Sequence, residues 1–233
     1  MLTEWTDRVR HQYAAVEFDA TPAPVAVEIY PATDWNATRF AVLGEIRNRS
    51  LQKTLENHCD YYFVADVDNF IAPHTLRELV TLSLPIVAPL LRHVDINHPY
   101  SNYHADIDDN GYYQSCDTYT ELLHQKLCGV VEAPVVHCTY LVRADVIPTL
   151  NYLDTTERHE YVIFSHCART HKIPQYLDNR RAYGYIAFSS NDTEEEIRQV
   201  NLARDQLQKK NLVPPALLSA FVSPHQQYPN LIT

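Results

Sequence analysis

Two hydrophobic periods alternate along this chain. From Asn36 to Cys59 the apolar residues Phe40, Leu43, Ile46, Leu51 and Leu55 recur close to every 3.6 positions, with Arg47 beside Ile46 on the same stripe. That spacing predicts a long amphipathic helix capped by Asn36. A continuous apolar run, Tyr61-Tyr62-Phe63-Val64-Ala65, follows and has the length of a buried strand. The same reasoning predicts short helices from Leu2 to Tyr13, from Pro73 to Leu82 and from Asp117 to Leu127. Strands are expected from Val25 to Tyr30, Pro85 to Leu91, Ala133 to Val142, Ile173 to Leu177 and Tyr183 to Phe188, and a further helix from Glu157 to Thr170. A last helix starts at Thr193: Glu194, Glu195 and Glu196 answer the positive helix terminus, and Ile197, Val200, Ala203 and Leu207 share one face. From Ser101 to Gln114 the chain reads as loop with a hairpin-like Gly111-Tyr112-Tyr113. After Asn211 it is proline-rich and irregular. Alternating helices and strands predict an α/β fold, a mixed sheet flanked by helices, with one domain over residues 1–210 and a tail over 211–233.

The apolar run stops abruptly on Asp66-Val67-Asp68-Asn69. Aspartate is a poor strand residue and is rarely buried unpaired. Two carboxylates at i and i+2 of an extended strand point the same way and repel unless a cation lies between them. Their oxygens suit Mg²⁺ or Mn²⁺, and in open α/β sheets ligands gather at strand C-termini. A second copy of the spacing, Asp106-Ile107-Asp108, runs into Asp109-Asn110-Gly111 and reads as a turn.

Composition narrows the alternatives. With only 4 glycines and no G-x-G-x-x-G or Walker A pattern, Rossmann dehydrogenases and P-loop NTPases are set aside. A net charge of -10 argues against a nucleic-acid partner and implies that an anionic diphosphate substrate needs a metal to be held. The 5 cysteines lack C-x-x-C spacing. Cys59, Cys138 and Cys167 fall in apolar stretches and are expected to be buried thiols, so a reducing compartment is favoured. The polar first ten residues do not read as a secretory signal and no apolar run nears the roughly 20 residues of a membrane span, so a cytoplasmic location without a membrane span is expected.

The run from Asp60 to Ile71 resembles the metal-binding segment of the procollagen galactosyltransferase family, and is similar to the glycosyltransferase domain of the lysyl hydroxylases. The likeness continues through Ile86-Val87-Ala88-Pro89-Leu90-Leu91, Tyr100-Ser101-Asn102-Tyr103, Gly111-Tyr112-Tyr113, the stretch from Ala133 to Leu141, and Tyr183-Gly184-Tyr185. It implies a GT-A fold, a divalent cation (usually Mn²⁺, or Mg²⁺) on Asp66 and Asp68, a UDP-sugar donor and a glycan or protein acceptor, with inverting transfer. It also implies substrate contacts at Asp66, Asn102, Tyr103 and His137. Where the family carries two acidic residues this chain has His159-Glu160, which makes Glu160 the candidate base with His159 beside it. Two departures stand out. The family begins with two βα units that precede the first helix of this chain, so the fold is expected to be N-terminally incomplete. The family's metal-side histidine after the last strand is also absent from Phe188-Ser189-Ser190-Asn191-Asp192, where Asn191 or Asp192 is the available oxygen ligand. A non-catalytic remnant that binds carbohydrate or protein is the alternative, and a metal-dependent phosphohydrolase a third.

Overall fold

The computed structural model describes residues 2–19, 35–187 and 193–210. The chain divides into two compact units, residues 1–34 and 35–233. In the first, α1 (Leu2–Val9) tightens into a 3-10 turn, Arg10–Gln12, so the predicted first helix changes pitch after Val9. The strand predicted from Val25 to Tyr30, the 188–192 segment with its substitute ligands, and the tail from 211 lie outside the described residues.

The second unit opens on α2 (Ala37–Glu56), the predicted long helix. The Asn36 side chain accepts a hydrogen bond from the Arg39 amide at 3.2 Å and so satisfies an amide that the first turn leaves unpaired. The inward face is Gly44, Leu51 and Thr54, while Ile46 and Leu55 are exposed, so the stripe lies slightly rotated from the predicted one. Gly44 explains the rotation. A Cβ there would lie 2.5 Å from Leu153 Cδ2 and 2.9 Å from the Tyr152 carbonyl oxygen, so only glycine lets the helix approach this closely. That approach carries Arg47 inward with it.

Ten strands are described: β1 (Tyr61–Ala65), β2 (Asn69–Ile71), β3 (Ile86–Pro89), β4 (Leu91–His93), β5 (Tyr103–His104), β6 (Val130–Glu132), β7 (Val135–Val136), β8 (Thr139–Arg143), β9 (Gln175–Asp178) and β10 (Gly184–Ile186). The main sheet has the order β1-β8-β3-β9-β6, a second sheet has β2-β10-β4, and β5 pairs with β7. β3 and β9 run parallel, whereas β8 is antiparallel to both its neighbours. Helices α3 (Thr75–Leu82), α4 (Asp117–Leu123), α5 (Glu160–Thr170) and α6 (Thr193–Lys209) complete the unit. The core holds Ile86, Ala88, Tyr140, Val142, Phe164 and Leu177, all wholly buried. This mixed α/β arrangement is GT-A-like, as predicted.

Two predicted strands are each broken in two. The run from Pro85 to Leu91 leaves the main sheet at Leu90 and continues as β4 in the second. The run from Ala133 to Val142 breaks at His137 and Cys138, where Cys138 takes a left-handed φ of 61° and the His137 amide donates to the Asn102 carbonyl at 3.0 Å. Apolar pattern alone could not locate either break, because both halves are buried. Strand β6 and the 3-10 segment Ala144–Thr149 carry no strong periodic signal and were not predicted. Cys59 is exposed rather than buried, because it lies in the reversal between α2 and β1. Cys138 and Cys167 are half-buried.

Two consequences for stability follow from this packing. Gly184 lies in β10 between two strands, and a Cβ there would sit 2.1 Å from the Phe70 carbonyl oxygen, which is backbone and cannot rotate away. Gly184→Ala should therefore destabilise the fold by about 1–3 kcal/mol or more, read as a lower urea midpoint. The second involves Asp178, which is wholly buried at the end of β9. It accepts hydrogen bonds from Arg180 Nε at 2.9 Å, Arg180 Nη2 at 2.7 Å and the Tyr183 hydroxyl at 2.6 Å. Burial works to raise its pKa, but the bonds from Arg180 and Tyr183 outweigh it and hold the carboxyl below its ordinary 3.8. A pKa lower folded than unfolded contributes stability that is complete above the unfolded value and is lost as pH falls through the folded one. Urea midpoints should thus fall on acidification below about pH 4, and Asp178→Asn should flatten that decline.

Candidate functional site

Asp66 and Asp68 leave β1 in a tight turn rather than on extended strand, a correction to the predicted geometry. The Asn69 amide donates to the Asp66 carbonyl at 3.1 Å, and Val67 projects fully into solvent at the apex. The turn is tied on both sides. The Asp66 amide donates to the Cys138 carbonyl at 3.1 Å, and the Ala187 amide donates to the Asp68 carbonyl at 2.8 Å. Asn69 Nδ2 reaches the Thr139 hydroxyl at 2.7 Å and anchors the turn to β8.

The turn leaves the two carboxylates near enough for the charge of Asp66 to act on Asp68. Burial, and then the neighbouring charge of Asp66, push the Asp68 carboxyl from 3.8 to about 6. Asp66 is ion-paired to Arg47, whereas Asp68 has no ion-pair partner among the described residues. A half-buried carboxylate pair with one uncompensated member gains from a divalent cation. Mg²⁺ and Mn²⁺ typically take one or two protein carboxylates and complete their shell with water and substrate phosphates. The pair fits such an ion in that mode. Among the described residues no cluster of three or more His, Cys, Asp or Glu forms a closed protein cage.

Arg47, on the stripe of α2 but not among the expected site residues, links the site. Its Nη2 lies 2.9 Å from Asp66 Oδ1 and its Nε 3.4 Å from Glu160 Oε1, and its side chain is only 14% exposed. A charged residue on the apolar stripe of α2 was the available signal. Glu160 is the first residue of α5 and is buried. His159 Nδ1 lies 3.1 Å from its Oε2. Burial works to raise the Glu160 pKa, but the bond from His159 and the charges of Arg47 and His159 outweigh it and hold it below 4.5. Glu160 is therefore an ionised carboxylate engaged on both oxygens. With Nδ1 turned to that carboxylate, His159 presents Nε2 as its remaining nitrogen. The arrangement resembles a base and its orienting acid.

The other predicted contacts have different places. Asn102 is wholly buried: its Nδ2 donates to the Pro89 carbonyl at 2.8 Å and to the Thr139 carbonyl at 3.2 Å, and its Oδ1 accepts from the Leu91 amide at 2.9 Å. Its amide is thus committed to holding β3, β4 and β8 in register. The Tyr103 hydroxyl donates to the Tyr119 carbonyl at 2.7 Å with the ring stacked on Tyr119, again inside the framework. His137 is buried beside Cys138, with Nδ1 2.9 Å from its sulfur, and packs against Tyr161 as a wall behind the turn. His104 is buried, and burial pushes its imidazole down to about 4. His93 is buried as well, and stacks with His98 at 4.2 Å.

Comparison with known proteins extends this picture. Residues 1–203 match the family model described as the N-terminal domain of glycosyltransferase family 25. Over 244 residues the chain is 30% identical to procollagen galactosyltransferase 2 of Homo sapiens, covering 99% of the chain and 38% of that protein. A glycosyltransferase 25 family member of Aedes aegypti is 29% identical over 80% of the chain and 32% of its own length. A Bos taurus relative named probable inactive glycosyltransferase 25 family member 3 is 29% identical over 96% of the chain and 39% of its own. The chain thus spans less than two-fifths of the length of these relatives.

Proposed function

The chain belongs to glycosyltransferase family 25, and on that premise we propose that it transfers a hexose from a UDP-sugar to a hydroxyl of a glycan or protein, with inversion and with Mn²⁺ or Mg²⁺ at Asp66 and Asp68. The observation that carries this reading is the Arg47 bridge. One guanidinium joins Asp66, one of the two carboxylates that would hold the donor diphosphate, to the Glu160–His159 pair. On this reading, the side that would hold the donor and the side that would meet the acceptor share one ion-pair network.

Asp66 and Asp68 would hold a divalent ion, which would supply Lewis-acid neutralisation of the departing diphosphate. The protein's own residues supply the rest. His159 Nε2 takes the proton from the acceptor hydroxyl as its oxygen forms the new bond to the sugar's anomeric carbon. On the opposite face the bond from that carbon to the diphosphate oxygen breaks, and UDP leaves with the bonding pair. Glu160 fixes the imidazole and stabilises its cation. A carboxylate already held below its ordinary pKa is a weak proton acceptor, so its role is orientation, and the base is the histidine. Relatives named inactive keep the binding-module alternative in view.

Calorimetric titration of UDP tests the donor site. With Mn²⁺ present the chain should bind UDP, and without the metal or in Asp68→Asn the heat should vanish. UDP binding that ignores both changes would remove the metal from the reading. Absence of binding in folded protein would favour the non-catalytic alternative.

A further inference from the structure

An aromatic shelf stands at the acceptor side of the same site. Trp35 is 59% exposed, and its ring lies 5.7 Å from the His159 imidazole with the planes tilted by 37°. Phe40, one turn into α2, packs on that imidazole at 3.7 Å, and Tyr161 lies 4.9 Å from it. The Tyr112 hydroxyl accepts a hydrogen bond from the His159 amide at 3.1 Å, which holds the histidine backbone in place. The imidazole is thus fixed by Phe40 through packing and by Glu160 through Nδ1. Tryptophan is on average a highly buried residue, yet this one stays open to solvent beside the nitrogen that would meet the acceptor.

We infer that Trp35 and His159 form a subsite for a pyranose, so that the acceptor is a saccharide rather than a peptide side chain. A pyranose combines an apolar face of C–H bonds with a rim of hydroxyls. The negative face of an aromatic ring attracts that apolar face, and the imidazole at the shelf's edge meets the rim. An aliphatic hydroxyl on a peptide side chain is narrow and flexible, offers no ring face, and would leave the indole uncovered. The inference rests on the transferase reading for its purpose, while the sugar contact itself does not need a donor.

The test uses the full 233-residue chain in a Trp5→Phe background, which leaves Trp35 as the only indole. Methyl β-galactoside, methyl β-glucoside and a serine-containing peptide are titrated separately while Trp35 emission is followed. At least one glycoside should shift the emission saturably. In transfer assays with that glycoside and otherwise unaltered protein, Trp35→Ala should raise its KM about tenfold, and Trp35→Phe, which keeps a ring face, about threefold. If UDP binds with Mn²⁺ but neither glycoside shifts the emission, the subsite is overturned and the transferase reading stands. A response to the peptide alone overturns it likewise. A glycoside response without UDP binding upholds the subsite and removes the transferase.

Discussion

Arg47→Met should lower the stability of the folded chain by about 3 kcal/mol, the size expected when one partner of a buried ion pair is removed and the other stays. The guanidinium serves two carboxylates, one of them on a buried side chain that is only 5% exposed. Methionine fills the volume but supplies no charge, so among the described residues Glu160 keeps His159 and Asp66 loses its ion-pair partner. The loss depends on pH. Glu160 is held below 4.5 in the folded protein, so its contribution is complete above that value and is lost as pH falls through the depressed folded-state pKa. The difference between wild type and Arg47→Met should be widest near neutrality and should narrow below about pH 4.5. Urea titrations at several pH values read it directly. A midpoint difference that does not change with pH would mean that Arg47 acts through packing and not charge. Arg47→Lys should recover part of the stability, because a point charge cannot reach both acids in the same geometry.

His159→Ala should reduce kcat by about 10²- to 10⁴-fold, the usual contribution of a positioned general base. The effect should appear at saturating donor and acceptor, because the group acts on the proton transferred in the reaction. Added imidazole should restore part of the lost rate by occupying the space that the side chain vacated. Glu160→Gln should cost less, because the histidine remains and loses only its orienting charge. Loss of the larger factor in Glu160→Gln, with His159→Ala nearly as active as wild type, would return the base role to the carboxylate.

Much of this was legible in the residues. The end of β1 at Asp66 and Asp68, the cap at Asn36, the inward face of α6 at Ala203 and Leu207, and the place of Glu160 at the start of α5 were all visible. Each rests on local chemistry: hydrophobic period, a capping side chain, an apolar run ended by charge. The collinear blocks from Asp60 to Tyr185 pointed to the family for a similar reason, since order along a chain is a one-dimensional property.

Tertiary structure decided what depends on contacts between distant segments. Arg47 and Asp66 are 19 residues apart and Arg47 and Glu160 more than 100, and no local pattern reports that pairing. Gly44 settles it by letting α2 lie close to Tyr152 and Leu153, which rotates the helix and draws Arg47 inward. Asn102 and Tyr103 sit in a stretch that matches the family, yet their polar atoms are taken by carbonyls and an amide of neighbouring segments. A buried polar group must find partners, and only the fold shows whether those partners are framework or substrate. By itself the sequence determined which residues could do the chemistry. The packing of α2 against α5 and β1 decided which of them do it together, because burial is what makes a charge seek a partner.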